Sequence, residues 1–591
     1  MIRFQALDLW ELDLTSYGLT FNEESDIFFS ETKKNFTFPV NIDLDDELAA
    51  KLGLVNLENI TDYNIKISGY LFVDDVFYDA YIMINEASKN KVELQFFYGS
   101  EVLSVFDKKL SQLPFPVINA GGDFRVHTAS VVTKAYPETS HNFPMVYRPS
   151  IAERKNYEFF EGFINHYGVG GVKENFDVLV EDELEIHNIN VVAPMPYLLE
   201  ILKVGFASEG KEIRGEFVND ELFKKAVVIP SKYLENYSNT ASRIFWQFQF
   251  YTSQETINFK TINVYEKLIP VTEEGFYSLR ISLNIPKGIA NFFDLEVTYG
   301  ATVLYTATST NKALAIEKTL YHIVAADDLA TFKVVLKVSE QTATIGGLNN
   351  FTFFKEGGDV NIYPNEYTLA DFMPDMTFRE YFNAIKKWLA LDVTYLENAV
   401  YLNYLNTSIR QKVFHDHSHL EDPDKKRALN KNNLFKLYYK EDDQLLVANN
   451  GLIYSDEGYN ESEIEELKFD AAPIAVGQNA SRITGVYPDD ETPKILIGLY
   501  DGMQGGMPLL KDAINGRNLS LEDVYETFHK YFLSFRANAE QYKDTFYAHV
   551  FNKFNLTEGI FKYNKKHLIK TIRKRRISEE WWKVDQESES F

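Results

Sequence analysis

Three histidines, His415, His417 and His419, occupy alternate positions in "FHDHSH". On a strand, alternate side chains share a face, and three imidazoles there could ligate a divalent cation. The segment runs directly into "LEDPDKKR", a loop composition, so these candidate metal ligands read first as exposed loop histidines. No H-E-x-x-H pair on a helix supports a catalytic metal.

A second pattern, "GFASEGKE", places Gly205, Gly210 and Lys211 at the spacing of a phosphate-binding loop. Such a loop needs a strand before it, a helix after it, and a hydroxyl following the lysine to hold magnesium. Here a helical pattern comes first and Glu212 stands where the hydroxyl should be, so the stretch reads as a helix C-terminus. The acidic runs "DLDDE", "YSDEGYNESEIEE" and "YPDDETP" lack the spacing of a calcium loop and read as solvated surface. There is no G-x-S-x-G elbow, and zero cysteines exclude thiolate nucleophiles, disulfides and cysteine-based metal centres. No enzyme activity and no cofactor are expected.

The tract "KYNKKHLIKTIRKRR", residues 562–576, holds eight lysines and arginines and no acid in a chain of net charge −26. Leu568, Ile569 and Ile572 fit one stripe of a helix with Asn564 as its cap, which would put the cations on the opposite face. Trp581 and Trp582 follow at once. Lys570, Arg573, Arg575, Arg576, Trp581 and Trp582 are therefore the candidate protein interface. A solvated helix and intramolecular tryptophan packing are the alternatives. The strong negative charge of the remaining chain repels phosphate, so specific nucleic-acid binding is not expected.

The elements that must carry these residues are mostly strands. At 591 residues several domains are expected, and the 15% aromatic content favours pleated structure. Alternation marks strands in "FTFPVNI", "YDAYIMINE" and "KVELQFFYG", with "ASKN" as a hairpin turn and "DLDDELAAKLG" as a short helix starting at Asp43. Pro196 opens a helix ending at Gly210. Thr377 and Glu380 form a capping box for a helix burying Phe378, Phe382, Ile385 and Leu389. Ser520 caps another helix, with Leu521, Val524, Phe528, Tyr531, Phe532 and Phe535 facing inward. Residues 240–365 read as successive strands, the pattern of a β-sandwich inserted in a more helical context.

The resulting fold class is mainly β with α additions (α+β). The division is 1–190, an N-terminal β-rich module; 191–239, a helix–strand–helix segment; 240–365, the sandwich; 366–519, a second module; and 520–591, a helix, a strand and a basic arm. Asp8, Glu11 and Asp13 interrupt any leader-like apolar run, and no stretch reaches the roughly 18 apolar residues of a membrane span. Synthesis in the cytoplasm without a membrane span is expected.

Several segments together resemble the tail-hub, or baseplate-hub, proteins of tailed bacteriophages of Bacteroidetes-type hosts. They are "FTFPVNI" with "DDELAAKLG", the hairpins through "ELQFFYG", "APMPYLLEIL" with "EGKEIRGEFVND", "MPDMTFREYFNAIKKWLALDVTYLENAVYL", and "FKYNKKHLIKTIRKR". The resemblance covers the chain apart from 240–365. It implies two related hub-type, β-barrel-like modules and no active site. It also implies a structural virion protein in a homo-oligomeric ring, trimer favoured, joining the tail tube to distal baseplate or fibre proteins. The basic tract would then dock on an acidic neighbour. A carbohydrate-binding adhesin, using the 240–365 sandwich on a cell-surface glycan, is the alternative.

Overall fold

The computed structural model describes residues 1–28, 35–59, 65–99, 103–180, 183–237, 244–257, 259–286, 292–310, 312–325, 328–339, 345, 347–356, 360–429, 434–440, 443–448, 452–454, 464–479, 481–488, 493–550, 556 and 558–590. With 50% strand and 18% helix the protein is mainly β, built from several sheets. Among the described residues, no helix is long and apolar enough to cross a membrane.

The largest sheet has 14 strands and draws on both ends of the chain. N-terminal strands Ile2–Ala6, Lys66–Val73, Val76–Ala87 and Lys91–Tyr98 form an antiparallel run, and Ser88 donates to the Lys91 carbonyl (2.7 Å) at the expected "ASKN" turn. The run continues through Asn35–Thr37 to Thr20–Glu24. That strand pairs antiparallel with Lys565–Arg576, setting Thr20 opposite Arg575 and Glu23 opposite Ile572. Trp581–Ser590, Glu540–His549 and then Lys426–Leu429 complete the path. Residues 1–190 and 520–591, separate units in the sequence reading, thus contribute neighbouring strands to one sheet.

The basic tract is a strand, not the expected helix. Its apolar spacing has a different origin: pairing with Trp581–Ser590 shifts register between Ile569 and Thr571, so Lys570 is an extra, bulged residue. A bulge lets Ile569 and Ile572, three apart, point into the same core, while Leu568 faces another. Asn564, expected as a helix cap, is instead half of a two-residue hairpin turn; Tyr563 (φ 52°) and Asn564 (φ 59°) both sit in the left-handed region that such turns require.

The helical centre follows the sequence more closely. Thr377 accepts from the Glu380 amide (3.2 Å) and Glu380 accepts from the Thr377 amide (2.7 Å), closing the capping box ahead of Phe378–Trp388. Ser520 accepts from the Asp523 amide, and Asp45, two residues after the expected Asp43, caps Asp46–Lys51. Asp46–Lys51 packs Leu48 and Ala49 into the core of the large sheet, whereas the helices after Thr377 and Ser520 bury their apolar faces in one large aromatic core. There Trp388 Nε1 donates to the Tyr439 hydroxyl (2.9 Å), which donates to the Leu519 carbonyl.

Residues 244–356 form two sheets packed face to face, one of four strands and one of five. Leu279, Ile281 and Phe353 of one meet Leu295, Val297 and Phe332 of the other, with Phe332 and Phe353 rings 4.9 Å apart. The chain enters and leaves this sandwich at one point, because Asn236–Tyr237 pairs antiparallel with Asn361–Ile362. Buried Asn361 ties the neck: its side chain donates to Tyr157 Oη and the Leu234 carbonyl and accepts from the Asn236 amide (2.9 Å).

Candidate interaction surface

The positions expected to form a docking face lie on strands that alternate between core and solvent. Leu568, Ile569 and Ile572 are buried, and most of the cations between and beyond them face acids of the same chain. Lys574 donates to both Glu23 oxygens (3.1 and 3.0 Å). Arg576 donates to Asp74 (2.6 Å) and stands over the Trp582 ring, and Arg573 Nε donates to Asn22 Oδ1 (3.2 Å). Lys565 and Arg427 converge on Glu540 and hold its carboxyl down at about 2, Arg427 contributing most. Lys570, at the bulge, faces the buried Glu589 carboxyl, which burial pushes up and the Arg536 and Lys570 charges draw back. Within the tract, Lys566 and Arg575 are exposed without a hydrogen bond or ion pair among the described residues, Lys566 lying over the Phe414 ring.

The two tryptophans separate in the same alternation. Trp582 is buried edge-on against Phe21 (5.8 Å), inside the core shared by the N- and C-terminal strands. Trp581 is partly exposed and meets His549. The tract is therefore an internal seam whose charges are largely neutralised within the chain, which is why so basic a stretch persists in so acidic a protein.

His415 and Asp416 lie on the short strand Phe414–Asp416, while His417 and His419 belong to the turn after it. His415 faces Glu558 (3.9 Å), and the His417 and His419 rings are 6.2 Å apart. Among the described residues, no three His, Asp or Glu side chains are grouped to hold a metal. Of the acidic runs, 455–463 and 489–492 lie outside the described residues. Gly210 (φ 71°) ends the helix Leu198–Ala207, and the Lys211 ammonium is taken up by the Leu396 and Glu397 carbonyls.

Three features carry no sequence motif. A surface cleft of about 530 Å³ is lined by Arg148, Arg154, Lys232, Tyr233 and Glu235, but Arg148 donates to Tyr233 Oη and lies on the Tyr487 ring, and Arg154 pairs with Glu235. Inside the central core, His127 and His141 both hydrogen-bond the Tyr367 hydroxyl (2.8 and 2.7 Å). Burial, then the neighbouring His127, pushes His141 down to about 3.

The third feature is the sandwich edge. Ile244–Trp246 borders the four-stranded sheet and Ser253–Ile257 the five-stranded one. Phe248, between them in sequence, packs on both Tyr265 and Phe351, which brings the two borders to the same side. Along this side Phe245, Phe250, Tyr251 and Ile257 are exposed. Phe259 is wholly exposed at the hairpin tip, with φ 66°. A bulky, fully exposed residue in the left-handed region is unusual. Residue types in these strands predicted a sandwich; which face would be left uncovered depends on the packing of both sheets.

No family model matches the chain, and no curated protein matches it. Among solved structures, the chain is similar to the infectious bursal disease virus VP2 subviral particle, at 10% identity over 57% of this chain and 75% of that chain. The TM-score is 0.15, too low to carry an argument about fold or role.

Proposed function

We propose that this protein is a structural subunit of a bacteriophage tail tip or baseplate hub. In this reading it occupies the virion tail after synthesis in the host cytoplasm, and copies assemble into a ring, trimer favoured, between the tail tube and distal baseplate or fibre proteins. Residues 1–190 and 366–519 would be the two hub-type modules, and the protein would have no active site. The resemblance of the quoted segments motivates the reading.

The observation that carries it is the uncovered apolar border of the sandwich. Phe245, Phe250, Tyr251, Ile257 and Phe259 expose hydrocarbon that a monomer gains nothing by showing, and such surface marks contact with another protein. The same residues motivate the second reading, a glycan-binding sandwich. Sugar faces stack on aromatic rings but also need polar partners, and three of these four aromatics are phenylalanines, without a hydrogen-bonding group. Protein contact is the better fit.

Light scattering of the purified full chain, followed by negative-stain imaging, tests the proposal. A closed ring of several copies is the expected result. A species that stays monomeric at every concentration, and binds sugars on a glycan array through the sandwich, would replace it with the adhesin.

A further inference from the structure

Asp544 lies on Glu540–His549, and Lys562 ends Gly559–Lys562. These strands are not neighbours: the basic strand and Trp581–Ser590 run between them in the sheet. The sheet curls so that the two side chains nevertheless meet, and Lys562 Nζ donates to Asp544 Oδ2. Both side chains are shut from solvent, at 1% and 2% exposure.

The surroundings serve an ion pair poorly. An ammonium brings three N–H donors, yet Nζ has one acceptor among the described residues, with the Phe546 ring 4.2 Å away and Tyr563 beyond it. Asp544 Oδ1 is buried without a hydrogen bond among the described residues. Burial depresses the Lys562 amine below its usual range, against the opposing pull of Asp544. In so dry a site the Lys562 ammonium gives up a proton more readily than it would in water. Tyr563, held at φ 52° in the hairpin turn, directs its hydroxyl onto Asp544 Oδ2 (2.9 Å).

We propose that Lys562 and Asp544 are joined by an intramolecular amide bond that the folded chain forms by itself. The neutral Nζ attacks Asp544 Cγ to form the C–N bond. Tyr563 donates to Oδ2 as negative charge develops there and keeps it as the amide oxygen. The Cγ–Oδ1 bond breaks, and Oδ1 leaves as water with the carboxyl proton and one proton from Nζ. No oxidant, reductant or cofactor enters, and one positive and one negative charge disappear together. The product is a covalent tie between strands separated by two others, closing the curl of the sheet.

The test is the intact mass of the denatured full chain, with peptide mapping. The expected mass falls short of the sequence mass by one water, and proteolysis yields a branched peptide joining the Asp544 and Lys562 segments. Lys562→Arg keeps the positive charge but cannot condense, so it restores the full mass. Asp544→Asn is expected to lose one ammonia instead, a loss no ion pair produces. Tyr563→Phe is expected to leave a large unlinked fraction; complete linkage in that variant would overturn the part given to Tyr563. A wild-type chain at full sequence mass, with no branched peptide, would overturn the amide bond and leave a buried ion pair.

Discussion

Lys574 and Glu23 lie 551 residues apart in sequence and face each other across one strand pair, both N–O distances near 3 Å and both side chains mostly shielded from water. The pair spans the seam between an N-terminal and a C-terminal strand of the large sheet. Partial burial should make it stronger than an exposed ion pair, for which about 0.2–1 kcal/mol is typical. Glu23→Gln and Lys574→Met should each lower the denaturant midpoint, and the double variant should recover part of the loss. Strictly additive losses in that cycle would mean the pair does not act as a unit.

Adjacent tryptophans should behave oppositely. Trp582→Ala empties a buried site against Phe21 and should cost about 3–5 kcal/mol, whereas Trp581→Ala, at the partly exposed position, should change stability by about 0.5 kcal/mol or less. Equal effects in urea unfolding would contradict the alternation of this strand.

Acid should weaken the fold through its buried histidines. His141 is held down to about 3 by burial and then His127, and His529 to about 4 by burial, against the Trp388 carbonyl that it touches. Depressed folded-state values mean that the unfolded chain binds protons first. The contribution is complete above the unperturbed 6.5 and is lost as pH falls below it towards the folded values. At about pH 5 each histidine should cost about 2 kcal/mol. His141→Gln should flatten the dependence of urea midpoint on pH; an unchanged slope would clear His141 of this role.

The neck of the sandwich rests on Asn361. Asn361→Ala leaves Tyr157 Oη, the Leu234 carbonyl and the Asn236 amide short of a partner, at a cost of about 2–3 kcal/mol. Limited proteolysis should then cut between the sandwich and the rest of the chain sooner than in wild type. Unaltered cleavage would show that strand pairing alone holds the neck.

Local signals were legible in the sequence where the chain satisfies itself locally. The Thr377–Glu380 box, the Ser520 cap and the "ASKN" turn each close within a few residues, and sandwich strands such as Phe292–Tyr299 alternate between core and surface. The basic strand was misread because a bulge at Lys570 gives Ile569 and Ile572 the spacing of a helical stripe. "KYNK" did hold a clue, since Asn in a two-residue link between alternating segments favours a hairpin. The meeting of Asp544, Lys562 and Tyr563 was not legible: it arises from the curl of a sheet, which no spacing encodes. The uncovered border near Phe259 was hidden for the same reason, because exposure is decided by what the opposite sheet fails to reach.

The pairing of Thr20–Glu24 with the basic strand sets a clock on biosynthesis. At ~5–20 residues per second, a ribosome takes roughly half a minute to two minutes to deliver Lys574 after Glu23. During that interval one side of an early strand offers unsatisfied backbone groups to any passing chain. Substitutions in the basic strand should therefore show first as aggregates on polysomes, with loss of yield preceding any measurable loss in the finished molecule.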